Sequence, residues 1–511
     1  MTLDQDICYR ALRSRDRRFD GRFFTGVSST GVYCRPVCPA RTPKRGNCTF
    51  YPSAAAAEEA GYRPCRRCRP ETSPGTPAWA GSSTTVARAL RLIDAGALDS
   101  AGVEQLSARL GIGDRHLRRL FDRELGASPL AVAVTRRVHF AKKLLDETNL
   151  PMGQIALAAG FRNVRRFNAA MLKTFARSPT EIRRRSGRFT GLPAATDRGS
   201  FTLRLAYRPP YDWDALLAYL APRALAGVEK VVEGEYRRAV ICGDTRGIIH
   251  VSHCPRDFCL ELRAPVAMSH SLLTLTERVR NLFDLDADPA EIAGQLGADV
   301  VLAPLVRARP GLRLPGAWDR FELAVRAILG QQVSVQGAST LAGRLVLAHG
   351  EPLAGNMAMQ NAGGQPTHLF PSPAVLVDAD LARLGLPRAR AAAIRALAVA
   401  VRDGDMDLTA TSDLDKAVAT LTTVPGIGPW TAQYIAMRAL REPDAFPAAD
   451  LGLLRAMGSG QEKLTPVALA HRAEVWRPWR AYAAMHLWNG CENASGGIAH
   501  HDQQANEDHR K

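Results

Sequence analysis

No run in the 511 residues is apolar for long enough to cross a membrane, and the opening MTLDQDICYRALRSRDRRFD lacks the apolar core of a signal peptide. No membrane role is expected, and the location expected is the cytoplasm. Acidic residues are in short supply. Fifty Asp+Glu stand against 67 Lys+Arg, a formal charge of +17, and arginine far outnumbers lysine. Arginine's forked guanidinium suits phosphate, but a basic surface attracts anionic membranes and acidic proteins as well. Charge alone therefore leaves the partner open. Ten cysteines in a reducing compartment do not make a disulfide framework. Six of them (Cys8, Cys48, Cys242, Cys254, Cys259 and Cys491) are dispersed, and the other four are clustered.

What is present falls into blocks. At roughly 100–200 residues per domain, the length predicts about three or four domains. Residues 1–72 form a small, loop-rich segment, and PETSPGTPAWAGSS (70–83) reads as a linker. From 84 to 186 the pattern is helical, and SGRFTGLPAATDRGS (186–200) is a second linker. Residues 200–290 mix strands, RRAVICG and GIIHVSH around the turn DTRG, with amphipathic helices such as DWDALLAYLAPRA. From 291 to 492 the chain is helical again, with a flexible surface loop expected at 350–366 and a polar, disordered tail at 493–511.

The clustered cysteines are C-x3-C at Cys34 and Cys38 and C-x2-C at Cys65 and Cys68. Each pair is close enough to grip one ion, which makes a tetrahedral zinc set. In so small a segment the metal is a main staple. Two roles fit: a purely structural site, or one in which a zinc-bound thiolate is itself a nucleophile with arginines holding a phosphate beside it. DGRFFTGVSSTGVYCRPVCPAR and FYPSAAAAEEAGYRPCRRCRP closely resemble the N-terminal zinc domain of the Ada family. That resemblance implies that Cys34 accepts a methyl group irreversibly from a DNA methylphosphotriester, with Cys38, Cys65 and Cys68 as companion zinc ligands. It implies phosphate-backbone contacts for Thr30, Arg41 and Arg67.

VEQLSARLGIGDRHLRRLFDREL (103–125) reads as helix, glycine turn, helix, and MGQIALAAGFRNVRRFNAAMLKTF (152–175) repeats the plan. Arg115, His116, Arg118 and Arg119 crowd the first candidate recognition helix, and Asn163, Arg165, Arg166 and Asn168 the second. A helical hairpin with a solvated basic face fits either motif alone. The pair, with SPTEIRR after it, resembles an AraC-type DNA-binding domain.

Downstream, VPGIGPWTAQYIAMRAL (424–440) sets Gly426 and Gly428 in a tight turn before a helix, where amides can face a phosphate. An ordinary interhelical turn reads the same way. Asp450, in AFPAADLGLLRAMG, stands where a helix N-cap would. Together with RPPYDWDALLAYLAPRA, RPGLRLPGAWDRFELAVRAILGQQVSV, LGLPRARAAAIRAL and WRPWRAYAAMHLW, these residues resemble the AlkA-type 3-methyladenine glycosylases II. The resemblance implies a helix-hairpin-helix fold with a catalytic Asp450. It also implies a base pocket of Trp430, Tyr434 and Trp488, while Trp318 fits pocket or core equally. Gln332 takes the place of a stack-filling side chain that is apolar in the family. Ala449 and Leu451 stand where the family often has an acidic residue and an aromatic one. Trp430 stands where backbone-cutting relatives keep a Schiff-base lysine. The cysteines of an iron–sulfur branch are missing, as is a Pro-Cys-His-Arg transferase motif.

The fold class expected is multidomain and mainly α. It comprises a small zinc-binding domain (1–72), an AraC-type double helix-turn-helix (84–186), a small α/β domain (200–290) and helix-hairpin-helix glycosylase domains (291–492). The expected function is methyl sensing that activates repair genes, joined to excision of alkylated bases such as 3-methyladenine and 7-methylguanine. The cofactor is one Zn2+. The partner is double-stranded DNA, in the nucleoid, with RNA polymerase a further candidate. Two alternatives stay open: a regulator with an inactive glycosylase half, and a glycosylase whose N-terminal modules only deliver it to DNA.

Overall fold

A computed structural model of the chain describes residues 4–74, 84–94, 96–186, 199–353, 365–408, 414–458 and 464–490. It divides into two units, Met1–Pro209 with Ala224–Asp288 and Gly350–Phe370, and Pro210–Arg223 with Pro289–His349 and Pro371–Lys511. Most of both linkers and of the 350–366 loop, and the whole tail, lie outside the described residues. No helix among those described is long and apolar enough to cross a membrane.

The first unit opens with helix α1 (Gln5–Ser14), whose Asp4 cap accepts from the amides of Asp6 and Ile7. The loop-rich expectation for 1–72 is corrected, because the segment contains a sheet. Its strands are β1 (Phe24–Val27), β2 (Val32–Cys34), β3 (Cys48–Tyr51) and β4 (Arg63–Pro64), in the order β3-β1-β2-β4. Strands of two to four residues give too little alternation to stand out in a sequence, and β1 is buried at every position. Helix α2 (Ala54–Glu59) is alanine-rich, and buried Ala55, Ala56 and Ala57 allow close packing.

Helices α3 (Thr84–Asp94) to α10 (Pro179–Ser186) come next. Both helix-turn-helix units lie where the sequence placed them: α5 (Val103–Arg109) with α6 (Asp114–Leu125), and α8 (Met152–Ala158) with α9 (Val164–Phe175). Leu106, Leu117 and Phe121 fill the first, and Ile155, Phe167 and Met171 the second. The short α4 (Ala97–Ser100) precedes the first unit, and α7 (Pro129–Glu147) runs between the two. Proline at the first position of α7, and a Ser128 hydroxyl accepting from the Ala131 amide at 3.2 Å, start that helix cleanly.

Helix α7 also carries the zinc segment. Tyr33, fully buried, places its hydroxyl 2.9 Å from Glu58 Oε1 and 2.9 Å from His139 Nε2, and Thr135 donates to Glu58 Oε2 at 2.8 Å. Arg69 and Lys142 both pair with Asp146, and Ser53 donates to the Leu125 carbonyl at 2.7 Å.

The unit ends in an antiparallel five-stranded sheet built from β5 (Ser200–Ala206), β6 (Glu229–Val232), β7 (Glu235–Cys242), β8 (Thr245–Cys254) and β9 (Cys259–Pro265). Their order across the sheet is β5-β9-β8-β7-β6. Strand β5, SFTLRLA, alternates in burial as a half-buried strand does. A short antiparallel pair, Glu351–Pro352 with His368–Leu369, corrects the expected 350–366 loop at its first end, where 351–352 is strand.

The second unit is helical. Ile328, Leu345, Ile394, Leu397, Ile435, Trp476 and Trp479 are buried in it. The helices Leu414–Thr422 and Pro429–Arg438 are its hairpin pair, and Leu451–Met457 succeeds them.

Candidate functional site

Cys34 ends β2, Cys38 lies beyond the next turn, and Cys65 and Cys68 bracket the turn after β4. The amide of Cys65 donates to the Tyr33 carbonyl at 2.9 Å, which ties the two pairs together. All four thiols are buried, and their sulfurs lie within 4.8 Å of one another. A tetrahedral zinc with sulfur at about 2.3 Å needs sulfurs about 3.8 Å apart, so the cluster fits the ion. Among the described residues no cysteine is in a disulfide. The Arg35 amide donates to Cys68 Sγ at 3.4 Å, and its guanidinium is clamped by Asp20 and by Thr72 Oγ1 at 2.7 Å. Thr30, Arg41 and Arg67 are exposed on the same segment.

On α6, Arg115, His116, Arg118 and Arg119 are all exposed. Arg118 lies 3.5 Å from Glu104 and 3.7 Å from Asp114, and Arg119 lies 3.0 Å from His116. On α9, Arg165, Arg166 and Asn168 are exposed, and Asn163 caps the helix by accepting from the Arg166 amide at 2.8 Å.

In the second unit, the turn of the hairpin depends on Gly426. Its φ is +88°, and a Cβ there would lie 2.5 Å from Ala393 Cβ. Gln331 donates to the Gly426 carbonyl (2.9 Å) and to Thr431 Oγ1 (3.0 Å), fastening the turn, while Gln332 is exposed with a φ of +55°. Gly426→Ala is expected to cost about 2–3 kcal/mol, from left-handed strain plus overpacking. The check is the denaturant midpoint of the second unit, and an unchanged midpoint would remove the clash argument.

Gly428 is exposed and caps the Pro429–Arg438 helix, whose first turn presents Trp430. Trp430 stacks on Tyr434, with centroids 5.5 Å apart and planes within 9°, and Trp488 tilts against Tyr434 at 6.5 Å. Asp450 sits between the indoles. Its Oδ1 accepts from Trp488 Nε1 at 2.9 Å and from the Leu453 amide at 3.0 Å, and its Oδ2 accepts from Trp430 Nε1 at 3.2 Å. Asp450 is the N-cap of the Leu451–Met457 helix and accepts from both indoles with the same carboxylate. A carboxylate offers about four lone pairs, and three are used, which leaves one on Oδ2. Trp318 is buried.

Beneath the stack lies a layer the sequence reading missed. Buried Arg438 donates to Tyr219 Oη (2.6 Å), Tyr434 Oη (2.9 Å) and the Pro315 and Gly316 carbonyls. Arg223 lies 3.8 Å from the Tyr219 ring centre. Burial pushes the Tyr219 phenol up to about 12. Burial acts the same way on Tyr434, but Arg438, Arg223 and the Tyr219 hydroxyl outweigh it and hold that phenol below its ordinary value. Contacts between positions 219 and 438 leave no local periodicity to read.

Three family models match the chain: the metal-binding domain of Ada over 7–71, a helix-turn-helix domain over 106–185, and the AlkA N-terminal domain over 202–319. The probable bifunctional transcriptional activator/DNA repair enzyme AlkA of Mycobacterium tuberculosis is 44% identical over 494 residues, spanning 96% of this chain and 97% of its own. The DNA-3-methyladenine glycosylase 2 of Escherichia coli is 38% identical, over 56% of this chain and 95% of its own. The bifunctional transcriptional activator/DNA repair enzyme Ada of Escherichia coli is 35% identical, over 25% of this chain and 35% of its own. The expected fold class holds, and the four cysteines are the site of one zinc ion.

Proposed function

The chain belongs to the AlkA family of bifunctional transcriptional activator/DNA repair enzymes, and from that premise we propose how its parts divide the work. Residues 1–72 sense alkylation, 84–186 bind promoter DNA, and 200–290 with 291–492 excise damaged bases. Duplex DNA is the partner throughout. RNA polymerase is the partner that activation would require, and the cytoplasm is where the three would meet. What supports the reading is one chain holding both a buried four-thiol cluster and a carboxylate walled by two indoles.

Cys34, Cys38, Cys65 and Cys68 hold the zinc, which when bound keeps the sulfurs deprotonated at neutral pH. Cys34 Sγ attacks the methyl carbon of a methylphosphotriester. An S–C bond forms, the O–C bond breaks with its electron pair left on oxygen, and the phosphodiester departs. The thioether cannot act again, so the step is stoichiometric. Thr30, Arg41 and Arg67 hold the backbone, while Arg35, fixed by Asp20 and Thr72, keeps the Cys34–Cys38 turn in place.

Base release needs less. Alkylation at N3 of adenine or N7 of guanine makes the base cationic, so it departs as a neutral molecule when the glycosidic bond breaks. Electron-rich Trp430, Tyr434 and Trp488 suit a flipped cationic base, and the spare Oδ2 lone pair of Asp450 faces the developing sugar cation. Water then completes an abasic site. Gly426 and Gly428 offer the hairpin amides to a phosphate, with Gln332 beside the vacated stack. The Asp450 carboxylate held by both indoles supports an active glycosylase half over an inactive one.

The test is incubation with methylated duplex DNA, following released bases and protein mass together. One methyl gained per chain and free 3-methyladenine are expected, and gain of the methyl without base release would favour the regulator alone. With Trp430 where a lyase keeps its lysine, strand scission should require added alkali. A protein–DNA adduct trapped by borohydride would show that reading to be wrong.

A further inference from the structure

The zinc segment and the second helix-turn-helix line an open cavity of about 250 Å3 against Cys65. Its floor is charge-balanced. Glu71 lies 3.0 Å from Arg69 and 3.4 Å from Lys142, and Asp146 pairs with the same two cations. Its rim is not. Arg66, in the turn between Cys65 and Cys68, lines the cavity together with Arg177 and Arg185, which belong to α10 and its lead-in turn. Among the described residues none of the three makes an ion pair with a carboxylate. Arg177 feels both neighbours: partial desolvation first, then the charges of Arg66 and Arg185, lower its guanidinium below the ordinary value against the opposing charge of Glu181.

Three like charges brought together from two separate segments repel one another, and Glu181 offsets only part of that repulsion at Arg177. An oxyanion between them would remove it and accept several forked N–H bonds at once. The cavity is large enough, and Phe175 and Ile182 wall one side. We propose that Arg66, Arg177 and Arg185 form a phosphate site bridging the zinc segment and the second helix-turn-helix. A backbone phosphate of duplex DNA and free inorganic phosphate share this chemistry. This rests on the first unit being a DNA binder, and it adds that one phosphate is held from both segments.

The test is a double-mutant cycle in the full chain, with Arg66→Gln, Arg177→Gln and both together, titrated with unmodified duplex over a range of salt. Each single change should weaken binding about three- to tenfold and flatten the slope of log affinity against log salt by about one. If both arginines hold one phosphate, the double variant should lose no more than a single one. In a second arm, inorganic phosphate is titrated calorimetrically without DNA. A one-to-one isotherm lost in either single variant, with DNA binding unchanged, assigns the same site to free phosphate. Fully additive losses, or unchanged slopes with no phosphate isotherm, overturn the site. Wild-type protein that binds no DNA would instead sink the functional reading on which it rests.

Discussion

Asp450→Asn will remove nearly all base release while leaving the second unit folded. Asparagine is as good an N-cap as aspartate, so its side-chain oxygen still accepts from the Leu453 amide and the Leu451–Met457 helix keeps its start. What is lost is the charge. A unit charge about 4 Å from a developing sugar cation, at an effective dielectric of about 20, is worth about 4 kcal/mol, or about three orders of magnitude in rate. The amide also presents N–H toward Trp430, a donor against a donor, so part of the box reorients. The measurement is single-turnover release of 3-methyladenine from alkylated duplex, beside a thermal unfolding curve. A rate within a few-fold of wild type would remove Asp450 from the chemistry, and a collapsed unfolding curve would mean that the carboxylate serves chiefly to hold the indoles together.

The second large effect concerns Cys34. Cys34→Ser should abolish methyl uptake outright, since a serine hydroxyl is a far weaker nucleophile, while the remaining three sulfurs need not lose the metal. In the native protein, zinc with four thiolates carries a charge near −2, and methylation leaves about −1. At ~8 Å and an effective dielectric of about 20–80, one charge against one phosphate is worth roughly 0.5–2 kcal/mol before screening. With two or three phosphates in range, affinity should rise about tenfold or more. The full chain, quantitatively methylated, should therefore hold its promoter more tightly than the unmethylated chain, and the advantage should shrink as salt rises. Equal binding of both forms at low salt would rule out an electrostatic switch even if Cys34 takes the methyl.

Local features were legible in the sequence and distant ones were not. The spans of the two helix-turn-helix motifs, 103–125 and 152–175, derive from apolar spacing and a glycine turn, and α5 with α6 and α8 with α9 fill them. The cysteine pairs converge as their spacing implies. The sheet behind those cysteines was hidden because its strands span at most two periods of alternation, and β1 is buried throughout. Trp430, Tyr434 and Trp488 were found as aromatic positions, but that both indoles donate to Asp450 depends on a fold that brings 430, 450 and 488 together. The Arg438–Tyr219 layer spans the longest separation of all, and only the folded chain reveals it.

The contacts along α7 bear on how such a chain can be recombined. Glu58 leans on Thr135 and His139, and Arg69 on Asp146, so the N-terminal segment is completed by side chains more than sixty positions further on. A graft that carried residues 1–72 to a new host would leave the Tyr33–Glu58 pair without Thr135 and His139, and Arg69 without Asp146. The exchangeable cassette is the longer one, ending beyond Glu147, and a chimera with its junction in the first linker inherits the sensor without its seat.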